Sequence, residues 1–597
     1  MKKRIALFLC ASMMLSLAAC TDTRNTRTTR DTKETTEDTT PEPTEESTTE
    51  STSETTTEET TEATTTTEET TTKEETTTTE ETTTSSEETT TESTEETSSE
   101  ETTETTTQPT SGPKDPSELY GTDLTYSSLT LKTNQDYFVY KFKSAEKPGL
   151  IGWSMPYFDF ASAKNDDLKK SVDETLTPHQ EAIIARNNIA KKEYDQKKSS
   201  GDSLSVAGFN SYNIQLFRND SQILSYAVNG SPLFEGPEDS RAKDTIYEGH
   251  TFDVATGKEL KLKDVVKDVD EFTSLVYAYL DSSNLSEEDK KAILNSIDTN
   301  SFNFALTYDS IHCLFVRRGR LTMNYFNISA MAHPDVFNME YFGHTPEYYF
   351  LKPDAKGNLY WDFDGDGKTD EMKLEPSTDD YDWGFAIKIS INGETYNSER
   401  DLPDSYGEYS HAYYVKSDDG QYLYVVVDEE DVYNNTYIFR IEGTKVTFVG
   451  EMDEYDAEPD DQPFFVNPEE FTLSSMDVLL GTSTTSGTYT LLGCDGNPKM
   501  TRSYYTSEHR HTSKMPLDAY SYDYNTGEAG KTVQIQQDSL YLIEAFNPDE
   551  GTIVFKIYEK GKSEFYYVQC TYERKGGAEF LMGTDIKDIF NDIVYAG

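Results

Sequence analysis

Basic residues are scarce in this chain. Lysine and arginine number 53 against 110 aspartates and glutamates, leaving a formal net charge of -57 over 597 residues. A phosphate backbone is held by basic patches, so this balance argues against nucleic acid as a partner. It also argues against a second, electrostatic contact with anionic lipid. Cysteine is scarce too, with five in all. Beyond residue 20 they are Cys313, Cys494 and Cys570, an odd count without metal-type spacing. Cys313 lies in the apolar run Ile311–Val316 and reads as a buried thiol. Cys494 and Cys570 can pair as a disulfide, but nothing in the sequence requires it. No H-E-x-x-H, no G-x-S-x-G and no Cys-His pairing is readable. Glycosidase carboxylates have no fixed spacing, so they stay open in a chain this acidic. Long apolar runs are missing beyond the N-terminus. A transmembrane helix needs about 20 such residues.

The N-terminus has a distinct pattern. Lys2, Lys3 and Arg4 form a positive start, and Ile5 to Leu17 is apolar but too short to span a bilayer. Leu17-Ala18-Ala19-Cys20 resembles the lipobox of bacterial lipoproteins. The resemblance implies a signal peptide over 1–19, lipid on Cys20 and attachment to a membrane through that residue. Two acyl chains suffice for stable anchoring, at about 0.8 kcal/mol per buried methylene. The alternative is an ordinary cleaved secretory signal.

Residues 20–115 are Thr, Glu and Ser in near-repeats such as Glu68-Glu69-Thr70-Thr71-Thr72. Almost nothing apolar offsets the entropy of ordering, so this is a disordered tether that like charges extend. As a coil it spans ~50–60 Å, and fully extended it reaches ~300 Å. Such a reach suits the wall of a Gram-positive cell. Its threonines could be O-glycosylated; the simpler reading is a solvated spacer.

The expected architecture beyond the tether is multidomain. An α+β N-terminal domain over 116–345, with an antiparallel sheet and flanking helices, precedes two mainly-β modules over 346–455 and 456–597. In the first, Thr130–Lys132, Tyr137–Phe142, Tyr212–Arg218 and Ile223–Val228 read as strands. Thr177-Pro178-His179-Gln180 has the form of a helix start, with proline at the first helical position. Asp264 reads as the cap of a helix ending near Leu280, and Ser286 as the cap of another.

Two stretches here carry a resemblance. They are Phe252-Asp253-x-x-Thr256-Gly257-Lys258-x-Leu260-x-Leu262-x-Asp264 and Phe304-x-Leu306-Thr307-x-Asp309-x-Ile311. The pattern resembles a bacterial extracellular domain of unknown function, shared by lysozyme-sensing anti-sigma factors and the non-catalytic region of PdaC-type peptidoglycan deacetylases. That implies a curved antiparallel sheet with helices and a role at the cell wall, binding protein or glycan. The deacetylases carry a Thr-Phe-Asp-Asp-Gly metal motif in a separate domain. Thr251-Phe252-Asp253 matches three letters, but Val254 and Ala255 follow. The second acid is missing, so Asp253 reads as a turn residue and His250 as a strand-end histidine.

The sharpest chemical pattern is Asp362-Phe363-Asp364-Gly365-Asp366-Gly367-Lys368-Thr369-Asp370. Oxygens at alternate positions converge when such a loop curls, and calcium takes 6–8 oxygens. The expected ligands are Asp362, Asp364, Asp366, the carbonyl of Lys368, and Asp370. The position of the bidentate EF-hand glutamate is Lys373, and the flanks read as strands. The expectation is therefore a structural calcium on a β-hairpin; the plain alternative is an acidic turn. In the last module His509-Arg510-His511 is a weak zinc pattern, better read as a solvated loop. The 40 tyrosines could form glycan platforms or fill strand faces.

Three functions follow in order. The first is a membrane-anchored extracellular binding or sensing protein at the cell wall, without catalysis, whose ligand is a glycan or a lysozyme-like protein. The second is a wall-remodelling enzyme, and the third a structural or adhesive surface protein.

Overall fold

A computed structural model describes residues 119–597, except 144, 146, 164, 200–203, 205–208, 231–245, 318–322, 379–383, 399–401, 403–406, 429–433, 453–454, 457–465, 503, 508, 592 and 596–597. The signal peptide, Cys20 and the tether therefore lie outside the described residues. What is described falls within one compact unit, Thr106–Gly597. It is mainly β, built from many small sheets.

The first sheet joins β1 (Thr130–Tyr140), β2 (Gly149–Asp159) and β3 (Phe209–Ser211). Helix α1 (Asp166–Lys197) connects β2 to β3. A crossover helix of this kind lets two strands run parallel, and β2 and β3 do. The expected single antiparallel sheet is thus replaced by three small ones. The second is β4 (Asn213–Asn219), β5 (Ile223–Gly230) and β6 (Ile246–Asp253). Then come α2 (Leu262–Val265), α3 (Val269–Ser282) and α4 (Glu287–Asp298). The third sheet is β7 (Phe304–Leu306), β8 (Ser310–Val316) and β9 (Met323–Ser329).

Two helix starts differ from expectation. Helix α1 begins at the cap Asn165 and runs through Pro178 instead of restarting there. Proline removes one hydrogen bond, but Leu168, Val172, Leu176, Ile183 and Ala190 form a continuous buried stripe on both sides of it. Packing along that stripe holds the helix together. Asp264 is not the cap of the long helix. It sits inside the short α2, and Asp268 caps α3 by accepting from the Glu271 amide. Ser286 caps α4 as expected, accepting from Asp289.

Two meanders follow. One consists of β11 (Asn358–Trp361), β12 (Asp370–Thr378), β13 (Phe385–Ile391) and β14 (Glu394–Asn397). The other takes β10 (Tyr349–Leu351), then β15 (Glu408–Ser417), β16 (Gly420–Asp428), β17 (Asn434–Glu442) and β18 (Lys445–Met452). Asn392 and Gly393 turn between β13 and β14 with φ of 49° and 87°. Positive φ at both positions is the tight hairpin geometry that Asn-Gly favours.

The C-terminal part has two sheets. The first holds β19 (Tyr455–Asp456), β20 (Phe471–Val478), β21 (Thr482–Thr490) and β22 (Lys499–Met500), with β23 (Thr506–Ser507) also on β21. The second introduces β24 (Arg510–Thr512), β25 (Leu517–Asp523), β26 (Glu528–Ile535), β27 (Leu540–Asn547), β28 (Thr552–Tyr558) and β29 (Phe565–Lys575). Their order is β24-β27-β28-β29-β25-β26, with β30 (Ala578–Leu581) and β31 (Thr584–Asp585) branching from β29. Among the described residues β24 and β26 are its two ends, so this is an open sheet. Helix α5 (Ile586–Ile589) packs Ile586 and Ile589 into its core.

Apolar cores cross the expected module lines. One runs from Ile223 to Val446, and a second joins Phe217 to Leu491. A third, smaller cluster puts Tyr137 and Val139 of β1 against Leu540, Leu542 and Tyr558. It packs the first strand of the folded region against the last sheet.

Candidate functional site

The aspartate loop joins β11 to β12, so its flanks are strands as the sequence implies. Asp362 organises it. One carboxylate oxygen accepts the Gly365 amide at 2.7 Å and the Asp366 amide at 3.1 Å, and the other accepts Gly367 at 2.9 Å. Asp370 accepts the Phe363 amide at 2.8 Å and the Asn392 side-chain amide at 2.5 Å. These bonds curl the chain and bring Asp362, Asp364 and Asp370 together. Each offers an oxygen within 4.8 Å of the others. Burial raises the Asp362 carboxyl above its usual range, and the Asp370 charge adds to the shift, against the three amide donations. Asp366 and Lys368 instead form an ion pair with each other at the surface. Three carboxylates and a curled backbone fit a hard, oxygen-loving cation such as calcium.

The two stretches that carry the family resemblance fold into a turn and a buried polar cluster. Asp253 accepts from the Thr256 amide at 2.8 Å and from its hydroxyl at 2.6 Å, which is a turn residue's work. Gly257 has φ of 64°, and a Cβ there would lie 2.6 Å from the α1 backbone at Asp167 and Leu168. The turn therefore seats the first turn of α1, and the side chain of Asn165 also donates to the Val254 carbonyl. His250 pairs with Glu259 at 2.9 Å. In the second stretch, the Thr307 hydroxyl donates to Asp309 at 2.9 Å and Ser310 lies 3.2 Å from His312. Burial pushes the Asp309 carboxyl up to about 7 and His312 down to about 3. Both side chains are thus held towards their neutral forms inside the core.

Cys313, Cys494 and Cys570 are buried free thiols. Cys494 faces the carbonyls of Thr490 and Leu492, whereas Cys570 sits in the core of the last sheet. His509 and His511 stack at 5.7 Å, and His511 is buried against Phe590.

A cleft of about 690 Å³ opens between the first sheet and the last. One wall presents Thr133, Gln135 and Tyr137, alternate residues of β1, with Ser154 of β2 and Ser211 of β3. The other presents Arg510, Glu544 and Lys556 from β24, β27 and β28. Its base is closed by the Tyr137–Tyr558 contact at 5.2 Å and by the Gly561 amide donating to Val139 at 2.9 Å. Asp538 bridges the two sides, 2.8 Å from Lys141 and 2.8 Å from Lys560. Glu544 stands where the β27–β28 register shifts between Ile543 and Ala545. It is the extra residue of a β-bulge, a device that re-aims a side chain. Burial raises its carboxyl, opposed by the charge of Lys556. Burial lowers Lys556 in turn, opposed by Glu544 and Asp136. No motif announces this cleft. The available signals were an acid and a lysine inside the otherwise apolar strands Leu540–Phe546 and Ile553–Tyr558.

No family model and no curated protein matches this chain. Two solved structures are similar to part of it. One is a member of the DUF3298 family from Bacteroides fragilis NCTC 9343, 11% identical, covering 36% of this chain and 95% of that one, with a TM-score of 0.26. The other is a DUF3298 family protein from Pseudomonas aeruginosa PAO1, 14% identical, covering 36% and 97%, with a TM-score of 0.22. Likeness of this size carries no argument about ligand or activity. No helix among the described residues is long and apolar enough to cross a membrane.

Proposed function

We propose that this protein is an extracellular binding protein, lipid-anchored through Cys20, that holds a cell-wall component without converting it. The component is a glycan or a lysozyme-like protein. In this reading residues 1–19 direct export, and the acidic tether over 20–115 carries the folded part away from the membrane. Residues 116–345 play the wall-facing role that the resemblance to anti-sigma factors and deacetylases implies. Asp362, Asp364 and Asp370 hold a structural calcium that stiffens the β11–β12 hairpin. The observation that supports the binding role is the open cleft between the first and last sheets, with walls rich in hydroxyl and amide groups. The test is co-sedimentation of the full chain with purified cell-wall sacculi in calcium, with and without added lysozyme. Retention on sacculi, or a stable soluble complex with lysozyme, is expected; the absence of both would end this reading.

A wall-remodelling enzyme is the second reading. The observation that favours it is Glu544, an acid with a raised pKa in a polar cleft. Release of reducing ends or acetate from sacculi, abolished in Glu544→Gln, would replace the first reading with the second.

A further inference from the structure

The cleft does not stop at Lys556. Across the last sheet Arg510, Leu542, Lys556 and Tyr567 lie in register, one on each of four neighbouring strands. Facing partners in a ladder share one side of the sheet, so the cleft wall continues directly into β29. There it becomes aromatic. The Lys556 ammonium lies 4.3 Å from the centre of the Phe565 ring. The Tyr137 and Tyr558 rings are 5.2 Å apart, Tyr558 and Phe565 are 5.5 Å apart, and Phe565 and Tyr567 are 5.5 Å apart. Tyr567 and Tyr524 then stack at 4.8 Å, within 25° of parallel. The inner rings are buried, Tyr137 at 2% and Tyr558 at 1% exposure. The outer ones are open, Phe565 at 45% and Tyr524 at 51%. Single exposed aromatics are ordinary, but a contiguous row leading out of a cleft is not required by packing.

The two parts suit the two sides of one kind of ligand. A sugar ring has apolar C–H faces and a rim of hydroxyls. The cleft offers the rim neutral donors and acceptors, among them Thr133, Gln135, Ser154 and Ser211, plus the Arg510 fork and the Glu544 carboxylate. The ring row offers apolar surface to the faces, as a turning series in which Tyr558 and Phe565 meet at 45° and Phe565 and Tyr567 at 76°. A chain of net charge -57 repels polyanions, which points away from acidic polymers. We propose that the cleft and its aromatic row bind a linear, uncharged glycan. The chain end enters beside Glu544 and Arg510, and the following units lie on Phe565, Tyr567 and Tyr524. This rests on the wall-binding reading above and chooses glycan over protein.

The test is calorimetric titration of the full chain with chitohexaose and with the anionic hexamer of galacturonate. Chitohexaose is expected to bind and hexagalacturonate not. Tyr524→Ala and Phe565→Ala are each expected to weaken binding about 10-fold. Both side chains are half-exposed, so the variants should fold; Glu544→Gln probes the cleft separately and should weaken binding by a similar factor. Glu287→Gln, an exposed residue at the start of α4, should leave it unchanged. Absence of chitohexaose binding, preference for galacturonate, or parental affinity in all three site variants would each overturn the proposal. Sedimentation of the same variants with sacculi separates the two levels. If the parent and the site variants sediment equally, the glycan site falls while the wall-binding reading stands. If the parent neither sediments nor forms a lysozyme complex, both fall.

Discussion

The aspartate loop and the cleft are built in opposite ways. The loop is largely local: its acids lie within nine consecutive residues, and the amides of one hairpin position them, joined by the Asn392 side chain on Asp370. The cleft is assembled from both ends of the folded region, and the ion pair that links its sides joins residues 397 positions apart. The loop is anchored at its ends by buried Phe363 and Asp370 and exposes Asp364 and Asp366, whereas the cleft depends on anchors from distant segments. Damage to the global fold should therefore open the cleft and spare the loop, while chemistry directed at the loop should leave the cleft intact.

The largest effect is expected at Glu579, fully buried on β30. It accepts the Leu480 and Gly481 amides and the hydroxyls of Tyr572 and Tyr595. Glu579→Ala would leave these donors unpaired in the module that forms one cleft wall, at a cost of ~3–5 kcal/mol. A denaturant melt should show that loss. A midpoint within error of the parent would mean that water replaces the carboxylate.

Calcium comes next and tests the loop alone. Extracellular sites of this kind bind at about 10⁻⁴–10⁻³ M, so 10 mM calcium should stabilise the protein by ~1.4–2.7 kcal/mol over chelator. Asp362→Asn and Asp370→Asn should abolish the shift in melting temperature. Asp366→Asn should largely keep it, because Asp366 is paired with Lys368 outside the cluster. Identical melts in calcium and chelator would remove the metal from this account.

A smaller effect separates the core from both sites. Asp309 has a folded value of about 7, above its ordinary 3.8. Its contribution is present at low pH and is lost as pH rises towards 7. His312 runs the other way, with a folded value of about 3 below its ordinary 6.5, so its contribution is lost as pH falls through that window. Between about pH 4 and 6.5 the two slopes oppose each other. Asp309→Asn should leave the histidine slope uncompensated there, changing the stability difference between variant and parent by ~1.4 kcal/mol per pH unit. Parallel profiles from pH 4 to 8 would show that Asp309 is ionised across that range in the folded protein as well as in the unfolded chain.

The smallest effect is at Asp538. Asp538→Ala leaves Lys141 and Lys560 unpaired, but both reach solvent, so the cost is ~1 kcal/mol or less. The comparison sharpens if this modest loss weakens chitohexaose binding while the calcium shift stays the same.

Features written in a few neighbouring residues were legible. The Ser286 cap and the strands around the aspartate loop stand where local chemistry puts them. Features that depend on distant packing were not. Pro178 looks like a helix start until the buried stripe of α1 carries the helix past it. Asp264 resembles a cap, but the short α2 takes it and leaves Asp268 to start α3. The parallel pairing of β2 with β3 depends on where α1 lies. The bulge at Glu544 needs the β28 partner before it exists.

The sequence by itself determined the charge of the chain, its mainly-β character and an acidic loop ready to curl. Each of these depends on composition or on bonds between near neighbours, whose geometry is the same wherever the segment sits. Only the tertiary structure decided that β1 lies against β27 and β28, that apolar cores run across the module lines, and that Glu544, Arg510 and Lys556 share a cleft with a row of exposed rings. Those contacts come from burying apolar surface between segments hundreds of residues apart, and no local pattern encodes which buried faces will meet.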